Sequence, residues 1–470
     1  ASGVPRASIK HREHQTYSAP ILYPYYPSQA YPSQAGHKER KRFHGGERIM
    51  ASWCRTGALC SRCRGDAEPI PSTNSHTQTQ RVMSDHVETS EQKPSDGVVK
   101  APGLKGVVAL ESELSFIDGE KGELIYRGYD IRDLAEHTSF EEVVHLMWEG
   151  DLPTQSQLDA LHRKLQAARD VPSEVIDFLR QVPDDTHPMA VLRTAVSALA
   201  HFDEETEDTS RAANQRKAIR LLARMPVCIA AFARLRAGKE PVAPLEDGST
   251  AHNFLYMLNG EEPGEAAEET FDVCLVLHAD HGLNASTFTG RVIGSTLSDM
   301  YSAITGAIGA LKGPLHGGAN VEVMKMLKAI DESDKDPVQY VKDHLAAGER
   351  IMGFGHRVYQ TMDPRAAILK GMVEALSEER DARHWYEYQM QILETMQTEK
   401  HIDPNVDFFS ASVYYMLGID IDLFTTIFAL SRTTGWTAHL LEQWADNALI
   451  RPRAEYVGPR GKTVTPIAER

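Results

Sequence analysis

From residue 104 onward the sequence predicts an all-α fold, and three observations predict it. Apolar residues recur at helical spacing in segment after segment. Capping residues stand in front of several of those segments, and strands do not alternate with helices as a doubly wound sheet requires. β-like runs occur only at the start of this body, where residues 114–117 and 124–126 flank a DGEKGE turn and read as a hairpin.

The helices announce themselves in order. Ser139 with Glu142 has capping-box spacing, and Phe140, Val143, Val144 and Met147 behind it share one face. Thr154 with Gln157 repeats the device ahead of Leu158, Leu161 and Leu165. Met189, Leu192, Val196 and Leu199 form a further stripe, and later segments follow the same pattern. Residues 1–100 differ. They are rich in Pro, Ser, Gln, Tyr and His, contain a tandem YPSQA, and carry no sustained period, so disorder is expected there. Their basic, acid-poor first part loosely matches an organelle transit peptide. The simpler expectation is an upstream extension with the working protein starting at Met83.

Composition narrows the function. The 470 residues carry a formal charge of −16, with 41% hydrophobic and 25% charged residues, as in an ordinary soluble globular protein. Residues 1–82 hold 12 Lys and Arg against 5 Asp and Glu, a net of +7, which leaves −23 on the rest. A body so acidic argues against nucleic acid as a partner, since phosphate binding needs a basic surface. No apolar run is long enough for a transmembrane helix. Five cysteines do not make a disulfide framework at this length; Cys228 and Cys274 sit in apolar surroundings and are expected to be buried thiols. Cys54, Cys60 and Cys63 with His44 lack the second ligand pair of a zinc finger, so no metal site is expected.

Three histidine segments mark the second half. LHADHGLNAST carries His278 and His281, GALKGPLHGGAN sets His316 between a proline and paired glycines, and GFGHRVYQTMDPRA places His356 nine residues before Arg365. After them come Asp407 in NVDFFS, Arg432 in SRTTG, and Arg451 and Arg453 in LIRPRAEYVGP. Each feature alone has a plain structural reading as a cap, a close-packing glycine or a solvated charge. Together, in this order, they resemble the citrate synthase family, and the likeness extends from GLKGVVA and YRGYDI through THPMAVLRTAVSAL to RPRAEYVG.

The resemblance implies a two-domain helical fold and a homodimer. It places a large domain at 104–319 with 418–470, and a small mobile domain at 320–417. It implies that His316 hydrogen-bonds the thioester carbonyl of acetyl-CoA, that Asp407 removes a methyl proton, and that His356 polarises the oxaloacetate carbonyl. His281, Arg365 and Arg432 match oxaloacetate ligands. Arg451 matches a carboxylate-binding arginine supplied by the partner subunit, and Lys312 and Arg357 are candidates for CoA. No cofactor or metal is implied. Because the body is similar to prokaryotic members, a cytoplasmic location is expected.

The chemistry explains the residue types. A thioester methyl is less acidic than a carboxylic acid by more than about ten pKa units, each worth roughly 1.4 kcal/mol. A carboxylate base therefore needs a donor that stabilises the enolate, and a neutral His316 can be one. A helix opened by GPLHGGAN would help keep that imidazole uncharged. Two carboxylates on the substrate suit arginine forks. Three other readings compete with this one: a metal-dependent hydrolase on His278, Asp280, His281 and His316; a non-catalytic helical scaffold; and, within the family, a 2-methylcitrate synthase using propionyl-CoA.

Overall fold

A computed structural model describes residues 101–333 and 335–470. The expected disorder of residues 1–100, and Cys54, Cys60, Cys63 and His44 within them, lie outside the described residues.

The hairpin forms around the DGEKGE turn as the sequence predicts. Strands β1 (Ser115–Asp118), β2 (Glu123–Tyr126) and β3 (Tyr129–Asp130) pair antiparallel in the order 1-2-3, with Phe116 opposite Ile125. Leu124 and Tyr126 point to the same side and are fully buried. The helices that follow are α1 (Ile131–His137), α2 (Phe140–Glu149), α3 (Gln155–Ala167), α4 (Ser173–Gln181) and α5 (Pro188–Leu199). Next come α6 (Arg211–Arg236), α7 (Thr250–Asn259), α8 (Glu265–His278), α9 (Ala285–Ser295), α10 (Met300–Leu311) and α11 (Ala319–Glu332). The last are α12 (Pro337–Ala346), α13 (Pro364–Glu379), α14 (Arg383–Lys400), α15 (Val406–Met416) and α16 (Phe424–Ala445).

The caps appear where the sequence places them. Ser139 and Glu142 close a full capping box on α2, and Gln157 Oε1 accepts from the Thr154 N–H at 2.8 Å ahead of α3. The stripe on α5 is buried throughout. Cys228 and Cys274 are free, buried thiols. No helix among the described residues is long and apolar enough to cross a membrane.

Helix α16 is the axis of the body, packing on α2, α6, α8, α9 and α10. It is buried on every side although it is rich in Ser and Thr. Two of its hydroxyls return to carbonyls of the preceding turn: Thr433 Oγ1 donates to Ala429 O at 2.8 Å and Thr437 Oγ1 to Thr433 O at 2.7 Å. That arrangement satisfies these two without water, whereas Thr434 Oγ1 is buried with no hydrogen-bond partner among the described residues.

Gly435 brings α16 against the end of α8, and its N–H donates to Ala279 O at 3.0 Å. A methyl there would overlap Ala279 O and Asp280 Oδ1. Gly435→Ala is therefore expected to destabilise the fold by about 1–3 kcal/mol, outweighing the roughly 1 kcal/mol that alanine gains in a helix interior. A urea unfolding midpoint equal to or above wild type would show that the backbone can yield here.

Candidate active site

The turn after α8 is held from three sides, and this aims His281. Tyr126 donates to Asp280 O at 2.7 Å and accepts from Asp280 N at 3.1 Å. The Asp280 carboxylate accepts from Ser115 Oγ at 2.5 Å and from Gly282 N at 3.0 Å, and His439 Nε2 lies 3.4 Å away. His281 then faces the His356 ring at a centroid distance of 5.3 Å. Burial, followed by Arg365 and Arg432, holds the His281 imidazole well below its usual pKa, so it is neutral.

His356 sits in a loop whose backbone decides its tautomer. Its Nδ1 accepts N–H bonds from Val358 at 3.0 Å and Tyr359 at 3.1 Å. With its lone pair engaged at Nδ1, the neutral ring carries its proton on Nε2. Burial and the Arg365 charge lower its pKa to about 4, with Asp363 opposing.

Arg365 and Arg432 are both fully enclosed. Arg365 is gripped by its own helix cap: Asp363 accepts from Arg365 Nε at 3.0 Å and Nη2 at 2.8 Å. The same carboxylate caps α13 through the Arg365 N–H and takes the Val406 N–H at 3.3 Å. Arg432 donates from Nε to His278 O at 2.7 Å and lies over the Phe428 ring. Its Nη2 is buried with no hydrogen-bond partner among the described residues, and burial pulls its pKa down to about 10. A buried guanidinium with an unpaired N–H is a place where an anion oxygen gains a strong bond.

Asp407 lies in the first turn of α15, capped by Asn405 Oδ1, which accepts the Asp407 N–H at 3.0 Å. Burial raises its carboxyl to about 6, against the lowering influence of Arg365, Arg432 and the Asn320 N–H. His316 is set by a different element from the one the sequence suggests. Helix α11 does open just after it, at Ala319. The contact, however, is with the first turn of α9, where the Ser286 N–H donates to His316 Nε2 at 3.2 Å and Ser286 Oγ lies at 2.8 Å. The lone pair is therefore at Nε2 and the proton at Nδ1. Burial, then Arg432, lowers the ring to about 4.

His281, His316, His356, Arg365, Asp407 and Arg432 thus form one electrostatically linked group. Lys312 stands apart from it, on the wall of a cavity of about 1010 Å³ that begins at Gly317 and Gly318, next to His316, and reaches Lys325 and Lys328. Arg357 is exposed and lies near Gly103, away from that cavity's lining. Arg451 is exposed in the segment after α16 and bonds none of the group. Sequence reasoning missed Asp363, Ser286, Asn320 and Tyr359. Asp363 was in plain view inside the DPR tripeptide. The His278, Asp280, His281 and His316 set does not converge: His278 Nδ1 is spent on Cys274 O at 2.8 Å, and Asp280 turns to Ser115 and His439.

The family model for the citrate synthase C-terminal domain matches residues 103–453. The chain belongs to the citrate synthase family. It is 56% identical over 372 residues to the citrate synthase of Haloferax volcanii, covering 78% of this chain and 98% of that one. It is 53% identical over 369 residues to citrate synthase 2 of Bacillus subtilis, covering 78% and 98%. Among solved structures it is similar to Thermoplasma acidophilum citrate synthase in a ternary complex with carboxymethyl coenzyme A and oxaloacetate. There the TM-score is 0.74 at 37% identity, over 78% of this chain and 99% of that one. The citrate synthase fold is all-α, as the sequence predicts, and the chain is an enzyme of this family.

Proposed function

We propose that this citrate synthase family member condenses acetyl-CoA with oxaloacetate and water to citrate and CoA, with Asp407 as base. The observation that carries the residue assignment is how hydrogen bonds set the two side chains: Ser286 occupies Nε2 of His316 and leaves its Nδ1–H free, and Asn405 fixes Asp407 in the first turn of α15, where burial raises its carboxyl. Asp407 removes a methyl proton while His316 Nδ1–H donates to the thioester oxygen as it gains charge. A neutral donor suits this, because its pKa lies nearer that of an enol than an imidazolium's does. The resulting carbon nucleophile attacks the ketone of oxaloacetate, and His356 Nε2–H donates to the carbonyl oxygen. Arg365, Arg432 and His281 hold the two carboxylates. Water then cleaves the thioester of the condensed intermediate.

The cavity leading from Gly317 past Lys312 to Lys325 and Lys328 has room for an extended CoA chain with cations at its far end. In the same reading, a small domain at 320–417 closes over the large one, 104–319 with 418–470, once the dicarboxylate is bound. Arg451 of a second copy completes the anion site of a homodimer, no cofactor or metal is needed, and the enzyme works in the cytoplasm.

A steady-state assay of free CoA with oxaloacetate, run with acetyl-CoA and with propionyl-CoA, tests the reading. Faster turnover with acetyl-CoA supports it. A preference for propionyl-CoA moves the assignment to 2-methylcitrate synthase, since one methylene is worth only about 1–3 kcal/mol. No release with either sinks both.

The pH dependence has a definite sign. Asp407 acts only when ionised, so kcat/KM for acetyl-CoA is expected to fall about tenfold per unit below about pH 6 and to level off above it. His316 and His356 are already neutral across that range, with values near 4. An acid limb displaced to the ordinary aspartate range, near 4, would mean that Asp407 is solvated in the working enzyme.

A further inference from the structure

Tyr359 takes no part in the chemistry assigned above, yet it is in contact with both histidines of the dicarboxylate site. It is 5% exposed, its ring centroid is 4.7 Å from that of His356 and 5.7 Å from that of His281, and its hydroxyl is 3.3 Å from His281 Nε2. We infer that Tyr359 is a positioning residue for the dicarboxylate: its hydroxyl engages Nε2 of His281 and leaves Nδ1–H of that ring to face the substrate. The inference rests on the proposed function for the identity of the ligand.

One hydrogen is shared between the two groups, and its direction follows from their acidities. Burial keeps the phenol protonated, and burial with two arginines keeps the imidazole neutral. A phenol O–H is a better donor than a neutral imidazole N–H, and an imidazole lone pair is a better acceptor than a phenol oxygen. The O–H therefore donates to Nε2, and the ring proton sits on Nδ1. Nδ1 makes no hydrogen bond among the described residues, so its N–H is left for an oxygen of the ligand. The same residue also serves His356, because the Tyr359 backbone N–H is one of the two that occupy His356 Nδ1. Side chain and main chain of one residue thus make both histidines donors toward the same space.

The hairpin holds Tyr359 there. Gln360 N–H donates to Gly119 O at 2.7 Å, in the turn between β1 and β2. A Cβ at Gly119 would overlap the Val358 carbonyl, and one at Gly122 would lie 2.9 Å from Thr361 Cγ2 and 3.0 Å from Met362 O. Two glycines let the turn lie flat on the loop that carries the phenol.

Tyr359→Phe tests this, since it keeps the ring, the packing and the backbone N–H. Its KM for oxaloacetate is expected to rise about tenfold with kcat within about twofold of wild type, at an unchanged melting temperature. Calorimetric binding of oxaloacetate should weaken by the same factor. In ¹⁵N-histidine spectra of the free enzyme, with the His281 signals assigned by their loss in His281→Gln, the variant should lose the single-tautomer pattern of wild type. Unchanged binding, unchanged His281 signals, or a lowered melting temperature with normal oxaloacetate affinity would each overturn the inference. If wild type released no CoA, the proposed reaction would fail, while the spectra and the oxaloacetate calorimetry would still decide the role of Tyr359.

Discussion

Asp407→Asn is expected to lower kcat by about 10³-fold while changing the KM for oxaloacetate less than about threefold. Positioned general bases contribute roughly 10²–10⁴-fold, and a carboxamide has no lone pair basic enough to take a carbon-bound proton. The substitution is nearly isosteric. Its carbonyl oxygen can still accept the Asn320 N–H, and Asn405 still caps α15. Stability should hold or rise, because burial opposes the charge that Asn lacks. Free-CoA assays with a melting curve on the same sample check both halves. Turnover within tenfold of wild type would remove Asp407 from its assigned role and direct attention to the other carboxylate nearby, Asp363.

The second large effect is expected at Asp363. It is fully buried and serves three donors at once: the Arg365 fork, the Arg365 N–H at the start of α13, and the Val406 N–H. Asp363→Ala leaves a buried guanidinium uncompensated and uncaps a helix, so a loss of about 3–5 kcal/mol is expected. It also loosens Arg365 and the residue before Asp407 together, so kcat/KM for oxaloacetate should fall more than about 100-fold. Asp363→Asn keeps the cap and one acceptor but not the charge, and should lie between wild type and Asp363→Ala in urea midpoint. An Asp363→Ala midpoint matching wild type would show that Arg365 finds water or another acceptor.

The parts legible from sequence are those encoded locally. A capping box is a four-residue pattern, and the α5 stripe repeats every three or four residues, so both can be read without knowing what packs on them. Citrate synthase-like motifs likewise point to His316, His356, Asp407 and Arg365, because each lies in a short run of distinctive residues. What sets their chemical state lies elsewhere. Ser286 is 30 positions from His316, and Tyr359 is 78 from His281. No periodicity links such pairs; they meet only because α9, α10 and the loop before α13 fold back on one another. Asp363 escaped for another reason. As an aspartate before Pro-Arg it reads as a helix cap, which it is, and nothing local shows that the same carboxylate also takes a fork and a distant backbone donor.

The histidines of this centre also bear on how the enzyme can drift. The lone pairs of His316 and His356 are both occupied by main-chain amides, from Ser286 in one case and from Val358 and Tyr359 in the other. Every amino acid except proline supplies that donor, so side-chain replacement at 358 or 359 leaves the proton placement on His356 intact; at 286 the amide likewise persists, while the Ser286 Oγ contact to His316 Nε2 at 2.8 Å depends on the side chain. The protonation pattern is inherited with the backbone path rather than with particular side chains. Lineages carrying unlike residues at these positions can therefore keep the same pair of donors for as long as the loop and the first turn of α9 keep their shape.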